Sequence, residues 1–107
     1  MTVTGKATAS VGGTVVASTD RWEVVEGNVY FPPESIDKKY FSPSSLTTVC
    51  PWKGTASYYD VVVDDGGNRK ELPAAAWYYP DVKDAAREIG GYVAFYKNKV
   101  DVKAESS

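Results

Sequence analysis

The sequence predicts a mainly β domain made of antiparallel sheets, with one or two short helical turns. Three observations carry that expectation. Lys6 to Ser10 and Thr14 to Ala17 flank Gly12-Gly13, and Trp22 to Val25 and Val29 to Phe31 flank Glu26-Gly27-Asn28. These are two hairpin signals within the first third of the chain. The third is the run Thr55 to Val63, in which both alternating faces carry apolar or aromatic side chains, as befits a central strand.

The remaining elements follow from local punctuation. Pro33 suits the first position of a helical turn through Glu34, Ser35 and Ile36. Ser42-Pro43-Ser44-Ser45 has the composition of a loop, and Thr47 to Cys50 of a strand stopped by Pro51. Ala56, Tyr58 and Val62 are expected on one face of the next strand, with Ser57, Tyr59, Val61 and Val63 on the other. Asp64-Asp65-Gly66-Gly67-Asn68 makes a turn, Arg69 to Leu72 returns from it, and Ala74 to Tyr79 forms a strand ending at Pro80. Asp81 is expected to cap a short helix over Val82 to Ile89, with Gly90-Gly91 as its stop. Tyr92 to Phe95 and Val100 to Val102 then read as a hairpin across Lys97-Asn98, and Lys103 to Ser107 as a frayed tail.

Composition bounds the function. A chain of 107 residues supports a single domain, spanning 1–107, around a single core. The net charge of −2 argues against nucleic acid or an anionic membrane as the main partner, since both need a basic face. The longest apolar stretch, Ala74 to Tyr79, is too short to span a bilayer. No h-region stands in Met1 to Lys6, so a cytoplasmic protein is expected, either monomer or homodimer. With no histidine and one cysteine, the chain cannot build a Ser-His-Asp or Cys-His apparatus or a paired-cysteine zinc site. Neither a metal nor a cofactor is expected. Any reaction would rest on lysine, tyrosine, carboxylates, Cys50 or backbone groups.

The densest chemistry lies in Thr47-Thr48-Val49-Cys50-Pro51-Trp52-Lys53-Gly54. Cys50 is either a small buried hydrophobe beside Val49 or a thiol nucleophile activated by Lys53; without imidazole or a resolving cysteine, the first reading leads. Lys53 is either a solvated turn lysine or a charge or amine serving a ligand. Its place between Trp52 and Gly54 favours function. Trp77, Tyr78 and Tyr79 can be pocket wall, core, or both.

Several segments also occur in a recognisable order. Gly13 to Ser18 precedes Trp22, and Val29-Tyr30-Phe31-Pro32 follows. Then come Cys50-Pro51-Trp52-Lys53-Gly54 with Ala56 and Tyr58, Ala76 to Pro80, and Gly91-Tyr92-Val93-Ala94-Phe95-Tyr96. Nearly the whole chain thereby resembles the domain of unknown function 427 family, sometimes filed under a nucleotidyltransferase heading. The resemblance implies a compact, tent-like pair of antiparallel sheets of the Mss4-like shape, also found in B-type methionine sulfoxide reductases. The two Cys-x-x-Cys pairs that bind zinc in many such relatives are absent, as are spaced aspartates for magnesium and a Gly-rich phosphate loop before Lys53.

The expected function is small-molecule binding in an aromatic-lined cleft formed by Tyr30, Cys50, Lys53, Trp77 and Tyr79. Two alternatives stand beside it: a structural or protein-interaction module, and an enzyme acting through Cys50 or Lys53. A cleft requires Lys53 and tyrosine hydroxyls to converge on one cavity, whereas a module requires a flat aromatic patch or a satisfied core.

Overall fold

The computed structural model describes residues 1–107, the side chain of Asp65 excepted. Eight strands form it: β1 Thr2–Val11, β2 Thr14–Val25, β3 Asn28–Tyr30, β4 Phe41–Cys50, β5 Gly54–Asp65, β6 Asn68–Tyr78, β7 Val93–Phe95 and β8 Asp101–Ser106. They make two four-stranded antiparallel sheets, in the orders β3-β2-β1-β8 and β4-β5-β6-β7. The sheets meet where Phe31 and Val93 exchange backbone hydrogen bonds of 2.7 and 2.8 Å. That bridge ties β3 to β7 and turns the two sheets into one strip whose outer edges are β8 and β4.

Both hairpins of the first third are present, but as parts of longer strands. β2 runs unbroken from Thr14 to Val25, pairing with β1 along its length and with β3 at its end. Register shifts in β1, between Thr4 and Ala7 and between Ala9 and Ser10, let the long pair bend without ending.

The second sheet is packed on both faces, and β5 lies inside it as its composition requires. One face contributes Val61, Val63, Ala76, Val93 and Phe95 to a core shared with Ala7, Ala9, Val16, Trp22 and Phe31. The other carries Ala56, Tyr58, Tyr79 and Ala94, covered by Tyr30, Ala86 and Ile89. In β6, Pro73 and Ala74 bulge out between the pairs Val61↔Leu72 and Tyr59↔Ala76. Ala74 has φ 48°, and its N–H donates to Asp60 Oδ1 at 2.8 Å. The carboxylate replaces the ladder partner that the bulge removes.

Four expectations are corrected. Ser42 to Ser45 is not a loop: β4 passes through it, with its extra residues taken up by a shift between Pro43 and Thr47. Proline is tolerated there because β4 is an edge strand. Asp81 caps no helix. Val82 instead bridges to Gly54, and two 3-10 turns, Asp84–Ile89, follow Lys83 with a kink at Ala86. Residues 92–102 form no hairpin, because β7 pairs with β6 while β8 crosses to β1. Nor does the C-terminal tail fray; Lys103 to Ser106 pair with Thr8 to Gly5.

Candidate functional site

The turn Pro51 to Lys53 hangs between β4 and β5, and the segment before the 3-10 turns fixes its position. Lys83 donates its backbone N–H to the Lys53 carbonyl at 2.9 Å and its ammonium to the Pro51 carbonyl at 2.6 Å. Gly54, at φ 124°, makes this clamp feasible: a Cβ there would sit 2.7 Å from the Asp81 carbonyl oxygen. The packed backbone therefore sends the Lys53 side chain inward, toward the outer face of the second sheet.

Lys53 is 6% exposed, not the solvated turn lysine that its residue type suggests. Its Nζ lies 5.3 Å from the centre of the Trp52 ring and 5.5 Å from that of Tyr79. Both distances are in cation–π range. The Glu26 carboxylate accepts its hydrogen bond and closes the ion pair. Burial alone would drive the proton off, but the Glu26 hydrogen bond, together with Coulombic attraction from Tyr30, Tyr79 and Glu26, outweighs it and holds the ammonium above its ordinary pKa. Lys53 is thus a fixed positive charge at neutral pH.

Glu26 comes from the β2–β3 turn, where Val25 pairs with Asn28 and the two central residues have φ 55° and 77°. Two consecutive positive φ values define a type I′ turn, which favours Asn, Asp or Gly at its first central position. Glutamate is strained there, at about 1–2 kcal/mol. Its side chain remains 51% exposed, so it reaches the nearly buried amine from the solvent side. The hydrogen bond from Lys53 holds its carboxyl below the usual range against the opposing pull of desolvation.

Tyr30 lies under this group, fully buried, and its hydroxyl accepts from Trp77 Nε1 at 3.2 Å. The two rings meet edge to face, with centroids 6.3 Å apart. Burial raises the pKa of Tyr30 and of Tyr79 while the charge of Lys53 works against it, so both phenols stay protonated at neutral pH. Trp77 leans on Tyr96 at 4.8 Å, and Tyr96 stacks on Tyr58 at 6.4 Å. The Tyr58 hydroxyl meets Thr48 Oγ1 at 2.9 Å. Hydrogen bonding to Tyr58, then burial, pushes the Tyr96 phenol up to about 12. Cys50 is half-buried against the same cluster.

The structure therefore brings Tyr30, Cys50, Lys53, Trp77 and Tyr79 to one face of the second sheet. It packs them instead of arranging them around a void. The described grooves lie elsewhere. The largest, about 590 Å³, runs along β1 and β2 beside Lys6, Asp20 and Arg21, and none is lined by any of the five residues. Among the described residues every buried side-chain nitrogen or oxygen has a partner, and no three His, Cys, Asp or Glu side chains gather as a metal would require. What opens to solvent is the rim: Glu26, Trp52 at 38% and Tyr96 at 39% exposure.

Three members of the cluster escape sequence reasoning. Tyr58 looks like an ordinary strand residue, Tyr96 like a link between a strand and a turn, and Glu26 like part of a turn. Glu26 carries a signal of its own, being ill-suited to the turn it occupies, and Tyr58 and Tyr96 both stand within the segments that carry the family resemblance.

Residues 2–106 match the model of a domain of unknown function (DUF427), and the chain belongs to that family. No curated protein matches it.

Proposed function

We propose that this DUF427 domain is a non-catalytic binding domain that receives a small molecule at the Lys53 cluster. The carrying observation is the convergence of one buried, permanently charged ammonium with Tyr30, Trp77 and Tyr79 beneath an exposed aromatic rim. Burying a charge beside aromatic rings is costly for a fold to maintain. These residues line no described groove, so the ligand is received at the exposed rim over the cluster, where Glu26 stands, and not in a preformed cleft. An amine nucleophile needs a depressed pKa, and Lys53 has a raised one, which favours binding over covalent catalysis.

The three tryptophans provide the test, because each gives its own indole N–H signal. Trp52 and Trp77 belong to the cluster, whereas Trp22 is buried in the other core and serves as control. In an NMR titration with a fragment set, ligands of the site shift the Trp52 and Trp77 signals and leave Trp22 in place. If no fragment moves either signal, the binding reading fails.

One observation favours a second reading, a protein-interaction module. β4 is an outer edge, carries no charged residue, and exposes Leu46 (44%) and Val49 (77%). Uncharged, exposed edges invite strand pairing. Concentration-dependent size in solution, lost on Val49→Lys, would support it.

A further inference from the structure

Building on that reading of the Lys53 cluster, we propose that its ligand is a small aromatic anion, a carboxylate or phosphate monoester. In this proposal the anionic group exchanges with the Glu26 carboxylate on Lys53 Nζ, and Glu26 acts as a built-in, displaceable surrogate for the ligand.

An ammonium this buried requires an anion, because two neutral rings do not replace the hydration it has lost. Glu26 supplies that anion, but from outside. The lysine side chain is 8% exposed and the glutamate side chain 51%. The space against Nζ is therefore already carboxylate-sized, filled by a carboxylate and open to water behind it. An incoming anion needs no new cavity; it needs Glu26 to swing out.

Glu26 is well suited to leave. Its displaced side chain returns to water, where a carboxylate is fully solvated. The turn that carries it is independently held by Lys97, whose ammonium donates to the Gly27 carbonyl at 3.2 Å. The backbone strain at Glu26 is otherwise unexplained, since asparagine or glycine would make the same turn without it. Two further ammonium groups flank this corner, Lys83 on the Pro51 carbonyl and Lys97 on the Gly27 carbonyl, so Lys53 is not the only cation beside Glu26. Once Glu26 is released, the local charge favours an anion.

The rim supplies the aromatic half of the ligand class. Trp52 presents exposed ring surface beside the exchange point, and the exposed Tyr96 is joined to the cluster through Trp77. A ring attached to the anionic group can stack there. A cationic ligand is disfavoured because Lys53 already occupies the faces of Trp52 and Tyr79. A neutral one cannot take the place of Glu26.

The experiment titrates benzoate, phenyl phosphate, benzamide and benzyltrimethylammonium into the wild type, Glu26→Gln and Lys53→Met, following the indole signals. Benzoate and phenyl phosphate are expected to shift Trp52 and Trp77, with benzamide and the cation at least about tenfold weaker. In Glu26→Gln the internal competitor is gone, so both anions bind about tenfold tighter, as when an occluded state is removed. Lys53→Met loses them. Should that variant fail to fold, the Glu26→Gln gain still decides. Unchanged anion affinity in Glu26→Gln overturns the exchange. Benzamide binding as well as benzoate overturns the ligand class while leaving the binding site standing. If no probe of any charge moves the cluster indoles, the binding reading falls and takes this proposal with it.

Discussion

A single carboxylate decides how the candidate site behaves with pH. Glu26 has a depressed pKa in the fold, chiefly through its hydrogen bond from Lys53. The folded chain therefore binds fewer protons than the unfolded chain near the ordinary glutamate value of about 4.3. The contribution of the pair is complete above that value and is lost as pH falls through the lower, folded one. Lys53 is raised, so its share is complete below the ordinary lysine value of about 10.4 and is lost only in strong alkali. Glu26→Gln keeps the turn strain but removes the charge. Its urea midpoint should fall below wild type at pH 6, with the gap narrowing as pH drops below the ordinary glutamate value. A gap that persists in acid would mean the effect is not the ion pair. At this scale the sequence discloses residue types but not partners. Cys50, Lys53 and the aromatics stand out by their chemistry, and Lys53 and Tyr79 do meet across the 25 intervening positions because β6 runs back along β5. Whether Lys53 is solvated or buried depends on a residue from a different hairpin, and no local pattern points from Glu26 to it.

Strands were foreseeable wherever apolar alternation is bounded by glycine or proline, and went astray wherever a bulge takes up those residues. Ser42 to Ser45 and Pro73-Ala74 both carry break signals, and both are absorbed by register shifts, the first in the edge strand β4 and the second in the interior strand β6. The β6 bulge has a testable economy of its own. Ala74 pays left-handed strain at φ 48°, while its N–H is satisfied by Asp60. Ala74→Gly should stabilise the domain by up to about 1 kcal/mol, the strain relieved less the added flexibility of the unfolded chain. Asp60→Ala should cost about 1–3 kcal/mol by orphaning a partly buried N–H. Denaturant unfolding of both variants checks the pair. If Ala74→Gly destabilises instead, the side chain's contacts with the Tyr79 and Ile89 cluster outweigh its backbone angle. The short helical segments misled for a related reason. Asp81 has the residue type of a cap, but the close approach of its carbonyl to Gly54 commits that stretch to bracing the Lys53 turn.

The whole molecule is a strip of eight strands folded on itself, and its largest departure from expectation concerns how the strip ends. A polar C-terminal pentapeptide looks dispensable, since polar ends usually fray. Here it completes the first sheet, because β1 otherwise presents a long unpaired edge and β8 is the only strand left to cover it. The docking is tight at one place. Gly5, in the first β1 bulge, comes so close to β8 that a Cβ would lie 2.0 Å from the Glu105 carbonyl oxygen and 2.8 Å from Ser106 Cα. Both are backbone atoms, which cannot rotate away as a flexible side chain would. Gly5→Ala must therefore push the end of β8 off β1 or distort the bulge, for an overpacking cost of about 1–3 kcal/mol. The damage should stay in the first sheet. Amides of Lys103 to Ser106 should exchange faster with solvent, while the Trp52 and Trp77 indole signals, carried by the second sheet, stay where they are. Stability equal to wild type with protected β8 amides would show that the two strands can move apart far enough to clear this clash without losing their pairing. A shift of the Trp77 signal would show the opposite, that the end of the chain is coupled to the Lys53 site through the Phe31–Val93 bridge.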